Sequence, residues 1–304
     1  MKKILYVTNI TRNVNSFFIP HINMLLSKGY TVDCACKISG EHKIKKYKFI
    51  KKIKFYDIPV TRKPFSIDNF KFLYKLYLIQ KKNNYDIIHV HSPIAGVYTR
   101  LLKIWFKDIK IIYTAHGFHF HKNSSKLNWI LFYPIEKLLA RYTDVLITIN
   151  DEDFNITKNF KCKDIRKIPG VGVDFSEFKN IDTKEKILIR DKINLKTNDF
   201  VLIMVGEHNK NKNQIQLIKA MKFLSIRNKR IKALLIGDGE DLQKNKKYIE
   251  ENNIDNVFIL GFRDDVNELV NCSDVLVSMS YREGLPKNII EGMSVCKPII
   301  ATRT

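Results

Sequence analysis

No stretch of the 304 residues reaches the roughly 18 consecutive apolar residues of a membrane span, because Lys, Arg, Glu or Pro interrupts every long hydrophobic run. The five cysteines, Cys34, Cys36, Cys162, Cys272 and Cys296, contain no CxxC pair and no Cys/His zinc spacing. An odd set of this kind reads as reduced, mostly buried thiols rather than as a disulfide framework. A G-x-G-x-x-G fingerprint is missing, which weighs against a dinucleotide-dependent dehydrogenase. Fixed-period repeats and low-complexity tracts are missing too, and with them solenoids and disordered linkers. MKKILYVTNI turns polar at once without a small-residue cleavage site, so it reads as a first strand rather than a signal peptide. A cytoplasmic protein is expected, either free or peripheral on the inner face of a membrane.

What is present is the composition of a globular protein, with 45% hydrophobic and 28% charged residues, over a length that favours two domains. The net charge of +22 is uneven: residues 1–175 hold 31 Lys and Arg against 13 Asp and Glu, residues 176–304 hold 22 against 18. A lysine-rich compositional habit accounts for part of this. The asymmetry itself suits an anionic lipid surface, a pyrophosphate-bearing acceptor or nucleic acid. No nucleic-acid reader motif accompanies the lysines, so nucleic acid is not the expected partner.

Strand and helix patterns alternate through the first part: KKILYVT, a helix over 17–28 closed by Gly29, YTVDCAC, KFYDIPV, a helix over 67–82, DIIHVH, a helix after Pro93, KIIYTAHG, a helix over 128–141, and DVLITIN as the closing strand. IPGVGVDFSEFKN breaks the rhythm, and a second series follows through DFVLIMVGE, KALLIGDGE, NVFILGF, DVLVSMS and KPIIAT. The expected fold is α/β with two Rossmann-like domains, 1–175 and 176–304, each built on a parallel sheet with ligands at the carboxyl ends of its strands.

SYREGLPKNIIEGMSVCKPIIAT, residues 280–302, places Glu283 and Glu291 eight apart, with a Gly-Leu-Pro turn leading into a helix. Gly284 lets backbone amides approach a ligand, and the positive end of the helix favours an anion such as a diphosphate. The segment resembles the E-x7-E motif of family 4 glycosyltransferases, retaining enzymes of GT-B fold, and specifically those that build capsular, exopolysaccharide and lipid-linked glycans. VGEHNKNKNQ, IGDGE and GFRDDV fit the same family's second domain, and HVHSPIAGVYTR and YTAHGFHFH its first.

That resemblance implies a nucleotide-sugar donor, UDP-sugar by expectation, bound in a cleft between the two domains without a metal or other cofactor. It assigns Glu283 to hydroxyls of the donor sugar, Gly284 and Leu285 to the phosphates, Glu291 to the ribose, Lys212 to the diphosphate and Arg263 to the surroundings of the base. His116 would face the sugar at the reaction centre. Glu207 stands where the family usually has arginine, and Asn13 to Ser16 replace its usual glycine-rich loop. Asn15, His91, Ser92 and His119 are candidates on the side of a glycan or polyprenyl-linked acceptor. Pairs His89/His91 and His119/His121 also allow a zinc reading, which the metal-free chemistry of the family disfavours. A nonhydrolysing sugar-nucleotide epimerase of GT-B fold and a basic nucleic-acid-binding protein are the alternatives. Because the resemblance stops after KPIIAT, a truncated chain is expected. Two segments, 41–54 and 97–107, combine basic and aromatic residues and are the expected contacts to an anionic membrane.

Overall fold

The computed structural model describes residues 2–38, 52–61, 64, 66–122, 124–170 and 172–304, with the backbone alone at positions 12 and 16. Two compact units divide the chain, Met1–Val171 and Gly172–Thr304.

In the first unit, strands β1 (Lys3–Ile10), β2 (Thr31–Lys37), β3 (Phe55–Asp57), β4 (Ile87–His91), β5 (Lys110–Ala115), β6 (Val145–Thr148) and β7 (Asp164–Lys167) form one sheet in the order β3-β2-β1-β4-β5-β6-β7, every pair parallel. Alternation buries Leu5, Val7, Ile88, Val90, Ile111 and Tyr113 on one face. Ile4, Tyr6, Val32 and Cys34 pack on the other, under α1 (Thr11–Asn13), a π-helical turn (Val14–Phe18) and α2 (Ile19–Ser27). The first face is covered by α3 (Ile67–Asn83), α4 (Pro93–Leu101) and α5 (Lys126–Leu139), with α6 (Asp151–Thr157) leading into β7. DVLITIN is thus not the last strand of this unit. DIRK at β7 is a short edge strand with half-exposed and exposed side chains, without the apolar run that marks the interior strands.

The second unit carries β8 (Phe200–Val205), β9 (Ile231–Ile236), β10 (Val257–Gly261), β11 (Val275–Ser278) and β12 (Ile299–Ala301) in the order β10-β9-β8-β11-β12, again all parallel. Helices α7 (Thr183–Lys192), α8 (Gln214–Arg227), α9 (Leu242–Glu251), α10 (Val266–Cys272) and α11 (Lys287–Ser294) cover it. Ser66, Ser125, Asn150 and Asp182 cap α3, α5, α6 and α7 by accepting from a first-turn amide, each contributing about 1 kcal/mol.

Strand order reverses between β1 and β4 in the first unit and between β8 and β11 in the second. Loops leaving those strands diverge at their carboxyl ends and open a crevice. β4 ends at His91 and Ser92 follows it before α4, while the residues after β8 and β11 are 206–213 and 279–286. Both sets contain sequence-assigned site residues.

Of the three basic residues in the segment 97–107, only Lys107 is exposed. Arg100 is buried and pairs with Glu136 at 2.8 Å, its guanidinium 4.4 Å from the centre of the Tyr113 ring, and Lys103 turns to Asp144. Both cations are recruited inward by acids far away in sequence. Most of the other basic segment, 41–54, lies outside the described residues.

Candidate functional site

In the second unit the two loops at the strand reversal are tied together by side-chain amides. Asn211 Nδ2 donates to the Arg282 carbonyl at 3.0 Å, Asn209 Oδ1 accepts from the Lys212 amide at 2.9 Å, and Asn288 Nδ2 donates to the Val205 carbonyl at 3.0 Å. Gln214 Nε2 holds the Glu207 carbonyl at 3.0 Å. This network brings Lys212 Nζ onto Glu283 Oε1 at 2.5 Å, both side chains partly buried. The diphosphate-assigned cation and the sugar-assigned carboxylate therefore share one place.

Helix α11 begins behind Pro286 without a side-chain cap, while Gly284 and Leu285 are exposed in the turn before it. Glu291 lies on the second turn, buried, with Lys287 Nζ at 2.9 Å. Burial pushes its carboxyl above the usual range and Lys287 opposes the shift. A Cβ at the next residue, Gly292, would meet Leu276 Cδ1 at 2.9 Å and Ile299 Cδ1 at 3.0 Å, so glycine there lets α11 lie close against β11 without shifting those side chains. At Gly239, with φ +153°, a Cβ would stand 2.3 Å from the His208 carbonyl oxygen, and the GDG turn can pack on the loop after β8 only as glycine. Arg263 is gripped by Asp265 in a two-point fork at 2.8 and 2.6 Å.

Sequence reasoning did not single out Asn209, Asn211, Gln214, Asn288 or His208. His208 is fully buried, hydrogen-bonded to Asn245 at 3.0 Å, with its imidazole held below the usual range by burial. The Asn-rich spelling of 208–214 was the available signal.

In the first unit, β4 and β5 bring His91 and His116 together, His91 Nδ1 lying 3.0 Å from His116 Nε2. His89 sits beside them and contacts Thr114 Oγ1 at 2.9 Å. Tyr6 packs against His89 and His91, and the Phe18 centroid lies 4.1 Å from that of His91. Burial pushes the His89 imidazole down to about 3 and His116 to about 4, and places His91 well below its ordinary value. All three are neutral near pH 7. The Nε2 of His91 is buried without a hydrogen-bond partner, and an orphaned N–H is the costlier occupant of such a place. The proton of His91 is therefore assigned to Nδ1, donated to His116 Nε2, which leaves His116 protonated on Nδ1.

Ser92 has φ +81°, rare for a residue with a Cβ, and its hydroxyl donates to Asn9 Oδ1 at 2.6 Å. Strain of about 1–3 kcal/mol of this kind collects at functional positions. Asn15 occupies the π-helical turn, half-buried. His119 packs against Phe132 at 4.8 Å between ring centroids, apart from the His89–His91–His116 cluster. Among the described residues no group of three or more His, Cys, Asp or Glu side chains is placed to hold a metal ion.

Two parallel α/β units, each with polar side chains at its strand-order reversal, have the architecture of GT-B glycosyltransferases. Comparison agrees: the Anabaena protein Alr3699/HepE, solved in complex with UDP-glucose, superposes with a TM-score of 0.77 at 18% identity, over 99% of this chain and 80% of that one. Residues 3–150 match the family described as glycosyl transferase 4-like and residues 185–304 that described as glycosyl transferases group 1. Bacillus subtilis EpsD, which carries the name of a glycosyltransferase, is 35% identical over 99% of this chain and 78% of its own length. An Escherichia coli UDP-Gal:α-D-GlcNAc-diphosphoundecaprenol α-1,3-galactosyltransferase is 30% identical over 93% of this chain and 74% of its own. The chain belongs to this glycosyltransferase family.

Proposed function

We propose that the protein transfers a hexose or N-acetylhexosamine from a UDP-sugar to a lipid-linked glycan in polysaccharide biosynthesis, with retention of anomeric configuration. The observation that carries the donor assignment is the meeting of Lys212 with Glu283 beside the uncapped start of α11. A cation and helix-end amides stabilise a departing diphosphate, and a carboxylate accepts hydrogen bonds from sugar hydroxyls. As the bond between the anomeric carbon and the diphosphate oxygen breaks, an acceptor oxygen bonds that carbon and its hydroxyl proton is released. Charge on the leaving group falls to Lys212 and the amides, so no metal is needed and a chelator leaves the rate unchanged. By the family resemblance His116, neutral and hydrogen-bonded to His91, is the residue assigned to the reacting sugar. Relatives named for UDP-galactose transfer and O-antigen synthesis support the substrate classes.

Calorimetric titration with UDP, GDP and ADP tests this reading. UDP should bind best, and Lys212→Ala and Glu291→Ala should each weaken it by about 1–3 kcal/mol, the worth of a lost charge-assisted hydrogen bond. Wild-type affinity in both variants overturns the donor assignment.

A further inference from the structure

Helices α3 and α5 each turn an apolar row outward, where a helix covering a sheet ordinarily presents polar residues. On α3 the row is Ile67, Phe70, Tyr74 and Leu78, between 44% and 72% exposed, interleaved with exposed Lys71, Lys75, Lys81 and Lys82. The one acid on that helix, Asp68, pairs with Lys71. On α5 the row is Leu127, Ile130, Leu131 and Leu138, flanked by exposed Lys126, Lys137 and Arg141, and its one acid, Glu136, is buried against Arg100. Both helices pack beside α4 on the same side of the sheet. Large apolar side chains among lysines, with no unpaired acid on either helix, complement an anionic bilayer: the chains enter the hydrocarbon boundary and the ammonium groups meet phosphates.

Between α4 and α5 lies a narrow apolar cavity of about 70 Å³. Ile94, Val97 and Tyr98 line it from α4, Phe132 and Ile135 from α5, and Phe118 from the loop after β5. Its charged wall residue, Glu136, is already paired with Arg100. The exposed α3 row reaches this wall directly, since Phe70 meets Tyr98 edge-on with ring centroids 5.6 Å apart. The other end of the wall, Phe118 and His119, follows His116 within three residues. An apolar cavity that touches both an apolar-basic surface and the strand end bearing His116 suits a slim hydrocarbon chain better than a sugar, which would leave its hydroxyls without partners.

We propose that the α4–α5 cavity is a binding site for one apolar lipid chain, taken from an anionic bilayer on which the outer faces of α3 and α5 rest. The inference builds on the lipid-linked acceptor of the preceding section and gives that acceptor's chain a place on this protein.

Dansyl-labelled farnesol, which has no phosphate to compete for the donor site, is the probe. The full chain should bind it saturably, and UDP should not displace it. Val97→Trp, filling the cavity from α4, and Ile135→Trp, filling it from α5, should each weaken the probe by about tenfold or more, as loss of about two buried methylenes does, while UDP affinity and the melting temperature stay at wild-type values. Two variants from opposite walls guard against one failing to fold. Wild-type affinity for the probe in a folded plug variant, or displacement by UDP, overturns the site. Sedimentation with phosphatidylglycerol-containing vesicles should capture the protein at low salt, and Phe70→Ser with Leu131→Ser should reduce capture; equal capture by neutral phosphatidylcholine vesicles, or none, overturns the bilayer source. A chain that binds the probe but not UDP would refute the donor assignment alone, and the reverse result this inference alone.

Discussion

Acid should loosen the first unit before it affects the second, because three neutral imidazoles are packed together there, His89 and His91 against Tyr6 and Phe18 and His116 against His91. Burial holds His89 at about 3 and His116 at about 4, with His91 well below its ordinary value in the same direction. In the unfolded chain each returns to about 6.5. The unfolded state therefore binds more protons between those values, and stability rises with pH through the window. The contribution is complete above about pH 6.5 and is lost progressively as pH falls toward 4. At pH 5 each such histidine has lost about 1.5 pH units of protection, or about 2 kcal/mol. His89 and His116 together reach about 3–4 kcal/mol after trimming the share of half-buried His116 for solvent screening, and His91 adds to it.

Both tryptophans, Trp105 and Trp129, belong to the first unit, so urea unfolding followed by tryptophan fluorescence reads that unit selectively. Measured at about pH 7.5 and pH 5, the wild type should lose stability by the amount above. Other groups titrate in the same range, and buried Glu136, whose carboxyl is raised by burial against the opposing Arg100, works with the opposite sign. The difference between variants isolates the histidines: His89→Gln, whose amide can still reach Thr114, should cut the pH-dependent loss by about 2 kcal/mol. An unchanged loss in that variant would refute the neutral-cluster reasoning.

Removing one partner of the buried Arg100–Glu136 pair, as in Arg100→Leu, should cost about 3–5 kcal/mol in the same urea assay, whereas the double change Arg100→Leu/Glu136→Leu should recover most of it, because the uncompensated buried charge is then gone. Gly239→Ala should drive a methyl into the His208 carbonyl and abolish UDP binding by calorimetry, while leaving the tryptophan-monitored unfolding of the first unit where it was. His116→Ala should lower kcat far more than it raises the UDP-sugar Kd, as expected for an interaction made in the transition state; equal turnover with an intact fold would return His116 to a packing role.

The interior strands were legible because alternation and β-branched runs both mark them, from KKILYVT to DVLVSMS. β7 was not, since DIRK at a sheet edge carries neither signal and owes its pairing to β6 alone. The π-helical turn at Val14–Phe18 was equally hidden, because VNSFF fits a helical period without specifying its pitch. Arg100 shows the sharper limit. Periodicity places it on a helix, but whether it faces water or core is decided by Glu136 on the next helix, and no local pattern reports a partner 36 residues away.

The same distinction separates what was readable in the site. Glu283 and Glu291 announce themselves because the chemistry and the geometry are written in adjacent residues: the turn at Gly284, the helix start behind Pro286, and Gly292 bringing α11 onto β11. Asn209, Asn211, Gln214 and Asn288 carry no such local mark. Each acts on a particular backbone group, three of them on a carbonyl and Asn209 on an amide, and the bonds from Asn211 and Asn288 tie segments that meet only because β8 and β11 are neighbours in the sheet. Their effect is nevertheless on the chemistry, since the bond from Asn211 to Arg282 pins residue 282 next to Glu283, and the bond to Asn209 fixes the backbone of Lys212. An ion pair between two long, partly exposed side chains is worth little when each must be ordered for the purpose. Here the loops order them in advance, so the entropic cost is met by the fold, and under the proposed function the pair exchanges its internal bond for bonds to a diphosphate and a sugar.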